Sequence, residues 1–316
     1  MVKYRQDPTF KEPRFSGIST FMRLPHVKTL ENVDVAIIGI PFDTGQTFRT
    51  GARFGPQAIR NFSSLVRCSS NHHKINIFDY ISAVDYGDIP VVPGFIQETY
   101  KNIVEVLAPM YKKEIVPIVM GGDHSISLGE LRAAAEHYGP VSLVHFDAHT
   151  DTVDSYFGQR YTHGTPFRRA VEEGLIDPFH SIQIGLRGSI NSVDEYDQSR
   201  ELGFEVITTE EVLDMGIKSL ISAIKHRVAG RRVFLSFDVD FIDPAFAPGT
   251  GTPEVGGIYP REAFQILRQL TDIPFIGFDV VEVLPAYDHG DITSALAANV
   301  MFEMMCLTAL NKKEHT

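Results

Sequence analysis

Tryptophan is absent from the 316 residues, and cysteine occurs only twice, at Cys68 and Cys306. Two thiols cannot build a disulfide framework, and neither belongs to a Cys-x-x-Cys pair. The sequence therefore points to a reducing compartment, with the cytoplasm as the expected location. Positive charge is short as well: 29 Lys and Arg stand against 40 Asp and Glu, a formal net charge of −11. That balance repels phosphate, and no basic stripe interleaved with aromatics appears, so nucleic acid is not an expected partner. No apolar run reaches the ~20 residues of a membrane span. Val33–Ile40 and Ile115–Met120 are short, and Asn299 and Glu303 interrupt the apolar stretch Ala295–Leu310, which reads as a buried helix. The opening MVKYRQDPTFKEPRF has no apolar core of a secretory signal. Nor is there a Pro/Ser-rich linker or an internal repeat. The expectation is one catalytic domain over 1–316, with residues 1–32 as an N-terminal extension packed on it.

What is present is alternation. Apolar runs suited to strands lie at Val33–Ile40, Ile75–Phe78, Ile115–Met120, Val141–Asp147, Ser181–Gly185, Glu205–Ile207, Val233–Asp238 and Phe275–Val281. Helical patterns fall between them: Pro56–Leu65, Ile96–Tyr111, Ile126–Tyr138, Thr165–Glu173, Val193–Leu202, Ile217–Val228, Pro260–Leu270 and Ile292–Leu310. Near-continuous apolar strands are those covered on both faces. Strand–helix alternation implies a mainly parallel sheet with helices on both sides. Ligands of such sheets bind beyond the carboxyl ends of the strands.

Three of those ends carry the chemistry. One strand runs into Gly121-Gly122-Asp123-His124-Ser125, a second into Asp147-Ala148-His149-Thr150-Asp151, a third into Asp238-Val239-Asp240. Residues at i, i+2 and i+4 share a face of an extended segment, so Asp147, His149 and Asp151 can converge, as can Asp238 and Asp240. One Asp at a strand end is ordinarily a cap or turn former. Four gathered in a cleft would repel one another, and divalent cations resolve that conflict. Oxygen ligands with two imidazoles and no thiolate favour Mn²⁺ over structural zinc, with Ni²⁺, Co²⁺ and Zn²⁺ left open. Six side chains (His124, Asp147, His149, Asp151, Asp238, Asp240) suit two ions sharing carboxylates.

At these residues the sequence resembles the ureohydrolase family of arginases, agmatinases and guanidino-acid hydrolases, and within it the agmatinase-like branch. Ser236-Phe237-Asp238-Val239-Asp240 with Asp243-Pro244, Pro248–Pro253, Glu254–Gly257 and Gly51–Pro56 with Ile59-Arg60 extend the likeness from about residue 50 to 285. The resemblance implies a three-layer α/β/α sandwich with an eight-stranded sheet, two Mn²⁺ per subunit, and a homo-oligomer, trimer or hexamer. His124, Asp147, Asp151 and Asp238 would hold one ion and Asp147, His149, Asp238 and Asp240 the other, with Asp147 and Asp238 bridging. The implied reaction cleaves a small guanidino substrate to urea and an amine.

A guanidinium is a poor electrophile because resonance spreads its charge, so hydrolysis needs a strong nucleophile near neutral pH. Asp151 is expected to orient it. His163, in Tyr161-Thr162-His163-Gly164-Thr165, is the expected acid for the departing amine. Glu282, after the strand Phe275–Val281, is the expected guanidinium partner. His145 and Asp123 are candidates to steady the ligands rather than hold ions. Arg53 and Arg60 suit packing and charge pairing at least as well as substrate contact.

The substrate's tail should be read by the 152–161 loop. Asp154 would attract an ammonium, Arg160 a carboxylate, and Tyr156 would set pocket length. The loop lacks the Asn/Ser richness that arginases use, so agmatine is the expected substrate and guanidinobutyrate or guanidinopropionate the alternative. A formiminoglutamate hydrolase and a catalytically inactive regulator are more distant readings, since no ligand is missing.

Overall fold

The computed structural model describes residues 2–7 and 13–314. In chain order the elements are β1 (Val35–Ile40), α1 (Gly55–Ser63), β2 (Ser69–Ser70), β3 (Ile75–Asn76), β4 (Ala83–Asp88), α2 (Ile96–Tyr111), β5 (Val116–Gly121), α3 (Ser127–Tyr138), β6 (Ser142–Phe146) and α4 (Pro166–Glu172). They continue as β7 (Ile182–Leu186), α5 (Glu195–Glu201), β8 (Glu205–Thr208), α6 (Thr209–Arg227), β9 (Val233–Asp238), α7 (Pro260–Leu267), β10 (Phe275–Val281) and α8 (Ile292–Glu314). Eight strands form one sheet in the order β4-β1-β5-β10-β9-β6-β7-β8. Every neighbouring pair in it is parallel. The inner strands β1, β5, β6, β7, β9 and β10 are buried almost throughout, which is why they read as unbroken apolar runs. One core joins Ile59 of α1, Leu220 of α6, Ile266 of α7 and Met301 of α8 to the sheet. A second joins Ile103 of α2, Leu131 of α3 and Phe167 of α4 to its other face. The result is the expected three-layer sandwich.

Eight strands were expected, but one of those expected is not in the sheet. Within Ile75–Phe78 only Ile75–Asn76 is extended, and it pairs antiparallel with Ser69–Ser70 in a separate hairpin. The eighth strand is Ala83–Asp88, which carries two acidic residues and a glycine and so gives no apolar run. As an edge strand it needs one neighbour only. Its Asp85 is buried because Arg60 of α1 clamps it from both sides, Nε to Oδ2 at 2.8 Å and Nη2 to Oδ1 at 3.0 Å, while Nη1 reaches Asp88 at 2.6 Å. Arg60 is thus a fold residue, as is Arg53, whose Nε donates to Asp43. Arg60→Met should destabilise the protein by about 3–5 kcal/mol, since it leaves a buried carboxylate without its partner. Urea denaturation checks this, and a change below 1 kcal/mol would contradict it.

One helix start differs from expectation for a local reason. α6 begins at Thr209, earlier than the expected Ile217, because Thr208 and Glu211 form a reciprocal capping box. Gly216 (φ 74°) then breaks the helix before its second half. At the start of α8 the amides of Thr293 and Ser294 donate to the Asp288 carboxylate. α8 is long and apolar enough to cross a membrane, yet 72% of that window is buried inside the protein. In the N-terminal segment Gln6 donates to the Met22 and Val66 carbonyls, and Phe21 and Met22 are buried. Residues 1 and 8–12 of the expected extension lie outside the described residues.

Candidate metal and hydrolase site

The four central strands, β5-β10-β9-β6, all end at one place. β5 leads to His124, β6 to Asp147–Asp151, β9 to Asp238–Asp240 and β10 to Glu282. The turn after β5 needs its glycine: a Cβ on Gly122 would lie 1.9 Å from the Phe42 carbonyl oxygen. Asp151 (φ 51°) and Glu282 (φ 64°) occupy the left-handed region, an unfavourable backbone state for such residues that persists where surrounding structure imposes it.

His124 Nδ1 lies 3.1 Å from Asp147 Oδ2, 3.0 Å from Asp151 Oδ2 and 3.3 Å from Asp238 Oδ2. His149 Nδ1 lies 3.3 Å from Asp147 Oδ1 and 3.1 Å from Asp240 Oδ2. Asp147 therefore stands between two groups, one oxygen toward each imidazole. Asp238 reaches His124 through Oδ2, while its Oδ1 accepts the Asp240 amide at 2.8 Å. All six residues expected as ligands gather here. His124 Nδ1 and Asp240 Oδ2 are buried, yet neither has a hydrogen bond of proper geometry. Lone pairs that converge on a point without bonding one another are what a cation ties together, so this donor set fits divalent metal. Two groups suitable for an ion emerge, His124, His145, Asp147 and Asp151, and Asp147, His149 and Asp240, with Asp147 common to both.

The electrostatics agree. Burial and the neighbouring Asp240 and Asp147 charges push the Asp238 carboxyl well above its usual range. Burial and Asp147 bring Asp240 up to about 6. Asp147 goes the other way: against the burial cost, His145, His124 and His149 hold it well below the carboxylate range. Protons and cations thus compete for Asp238 and Asp240. Divalent-cation affinity should fall as pH drops, first as His124 and His149, held against burial well above the ordinary histidine range by the surrounding carboxylates, keep their protons, and further as Asp240 takes one up near 6, by up to tenfold per pH unit for each proton displaced. Calorimetry in buffers of different ionisation enthalpy would detect the released proton. Binding independent of pH between 5 and 7 would contradict this.

Glu282 is buried and hydrogen-bonded at both oxygens. Its Oε1 accepts from the His124 amide and from His163 Nδ1, each at 3.1 Å, and its Oε2 from Gln46 Nε2 at 2.6 Å. On its far side His163 Nε2 meets Thr47, 3.2 Å from the amide and 2.7 Å from Oγ1. Burial lowers the His163 pKa, but the Glu282 hydrogen bond and charge, with Asp151 and Asp123, raise it above the ordinary histidine value.

A cavity of about 400 Å³ opens over Asp151, Asp238 and His149, with His163 and Tyr156 on its walls and Asn191 and Glu195 farther along. Asp154 and Arg160 do not line it. The 152–161 loop turns them outward, where Asp154 takes Arg169 Nη2 at 2.7 Å and Arg160 donates to Glu172 at 2.6 Å. They form a surface charge network with α4, and the expectation that they read the substrate's tail is corrected. Asp123 does not orient the His124 ring; it accepts the Gly45 amide, while Ser236 Oγ and behind it Asp279 steady His124 Nε2. Sequence reasoning passed over Gln46, Thr47, Asn191 and Glu195. Gly45-Gln46-Thr47 offered no signal beyond lying near the Gly51–Pro56 motif.

Paired buried metal-type groups sharing a carboxylate, beneath a cleft walled by His and Glu, define a metal-dependent hydrolase site at the carboxyl edge of an α/β/α sheet. The arginase family model matches residues 33–306, and the chain belongs to that family. It is 45% identical to guanidinopropionase of Pseudomonas aeruginosa over 94% of this chain and 93% of that protein. It is 42% identical to mitochondrial agmatinase of Gallus gallus over 92% of this chain and 86% of that one. The solved structure of proclavaminate amidinohydrolase from Streptomyces clavuligerus superposes with a TM-score of 0.91 at 44% identity, covering 94% of this chain and 99% of that one. The protein is a hydrolase acting on guanidino compounds.

Proposed function

We propose that the chain acts as one catalytic domain releasing urea from a short ω-guanidino acid. What supports the substrate class is the relative at 45% identity, named for guanidinopropionate, together with a cavity wall that offers neutral hydroxyl donors at Ser189 and Tyr156. Glu195 also lines the cavity, but its Oε2 accepts both the Asn191 amide and Nδ2, each at 2.9 Å, which partly offsets its charge. Agmatine is the second reading, favoured by Glu195 and Glu254 on a wall without Lys or Arg and by the agmatinase relative.

His124, Asp147, Asp151 and Asp238 would hold one cation and Asp147, His149, Asp238 and Asp240 the other, with Mn²⁺ the ion proposed for this donor set. When bound, the pair supplies Lewis acidity and hydroxide from water near neutral pH. The chain's own residues do the rest. Glu282 binds the guanidinium, Asp151 orients the attacking oxygen and accepts its proton, and His163 protonates the departing amine nitrogen. The reading carries with it a homo-oligomer and a cytoplasmic setting, the latter supported by two free thiols, Cys306 buried and Cys68 half-buried.

The test is urea release by the Mn²⁺-loaded protein from guanidinopropionate, guanidinobutyrate, agmatine and arginine. The expected kcat/KM is at least about tenfold higher for a guanidino acid, a difference of 1.4 kcal/mol. Preference for agmatine would install the second reading, and formamide rather than urea as product, from formiminoglutamate, would overturn both.

A further inference from the structure

His145 lies within reach of the first ligand group and is fully buried, so its imidazole could be a further ligand or something else. The hydrogen bonds around it decide. His145 of β6 sits opposite Gln183 of β7 in register. Gln183 Nε2 lies 2.5 Å from the Thr150 carbonyl oxygen, which only accepts, so that atom is the amide nitrogen and donates. Ser199 Oγ donates to the other end, Gln183 Oε1, in agreement. The same Nε2 lies 3.0 Å from His145 Nδ1, so Nδ1 presents its lone pair there. The ring proton of the neutral imidazole is then on Nε2, which is 2.8 Å from Asp147 Oδ2. A nitrogen that carries a proton cannot ligate a cation. Phe167 packs against this ring, centroids 4.4 Å apart, and against His124 at 5.2 Å, leaving neither free to turn.

We propose that His145 is a positioning residue, and that Ser199, Gln183 and His145 form a buried relay that fixes Asp147 Oδ2 by a donated hydrogen bond. The assignment rests on the metal-site reading above. Gln183 has a double part, since it fastens His145 and the Thr150 carbonyl between His149 and Asp151 with one amide. β6 and the Asp147–Asp151 segment that follows it are thereby fastened to β7 before any cation arrives.

The test is Mn²⁺ titration of the chelator-treated full chain, with the melting temperature recorded before and after Mn²⁺. His145→Ala should weaken Mn²⁺ about 10–100-fold and shrink the Mn²⁺-induced rise in melting temperature. His145→Gln, which can keep a donor toward Asp147, should recover most of the affinity. Gln183→Leu, which frees the tautomer while leaving His145 in place, should weaken Mn²⁺ by roughly three- to tenfold. Unchanged affinity in His145→Ala or Gln183→Leu would overturn the assignment. So would a His145→Gln protein no better than His145→Ala, because the imidazole itself would then matter. A wild-type chain that took up no Mn²⁺ would overturn the metal reading and this relay together, an outcome distinct from variants that match a metal-binding wild type.

Discussion

Asp147→Ala is expected to abolish urea release, by roughly three orders of magnitude or more, and to weaken both cations together. The reason is geometric. Its two oxygens point to different imidazoles, Oδ2 to His124 and Oδ1 to His149, so the truncation removes a donor from each group at once. It also removes the charge that favours protonated His124 and His149, and the metal-free site should become easier to deprotonate. Metal content by elemental analysis and affinity by calorimetry check the first half, and a urea assay the second. A variant that lost one cation and kept the other would show that Asp147 serves a single position. Asp154→Ala is the control from the neighbouring loop. Its carboxylate is exposed and tied to Arg169, so activity should stay within about twofold.

Glu282→Gln should do the reverse: leave metal content near wild type and damage turnover. The substitution keeps shape but removes a charge from the guanidinium partner. Hydrogen bonds to charged groups are worth about 1.5–3 kcal/mol, so kcat/KM should fall by roughly 10–150-fold. A second consequence follows through His163. Glu282 is the chief group raising that imidazole's pKa against burial. Without the charge His163 loses its proton at lower pH, so the high-pH limb of the kcat profile should move toward lower pH. An unmoved limb would remove His163 from the role of acid. Loss of metal in Glu282→Gln would mean that the carboxylate holds a cation rather than substrate.

The His and Asp cluster was legible because its order is local. Asp147, His149 and Asp151 share a face through the two-residue period of an extended chain, and that period is written in the sequence. Strand order is not. Nothing in Val141–Asp147 says that β9, nearly a hundred residues later, lies beside it. β4 was hidden for a related reason: its burial depends on Arg60, a residue of another element, and not on its own apolarity. Asp154 and Arg160 misled because opposite charges beside a metal motif look like substrate readers. Their partners Arg169 and Glu172 lie about one helical turn apart on α4 and take up those charges in the fold. Gln46 and Thr47 could not be found because their partners, Glu282 and His163, are more than a hundred residues away.

The placement of β9 and β10 between β5 and β6 has a consequence for the order in which the molecule can be made. Two of the four site-bearing strands leave the ribosome early, yet they must not pair, because the two latest strands belong in the gap. Contacts this distant in sequence close slowly. The Asp147, His149 and Asp240 group needs only β6 and β9, but the group that joins His124 of β5 to β6 comes together only once β10 has been made, so a cation cannot bridge β5 and β6 in the early sheet. Chains arrested before β10 should have an open seam of unpaired strand edges where the finished enzyme has its active site, a surface for chaperones to shield.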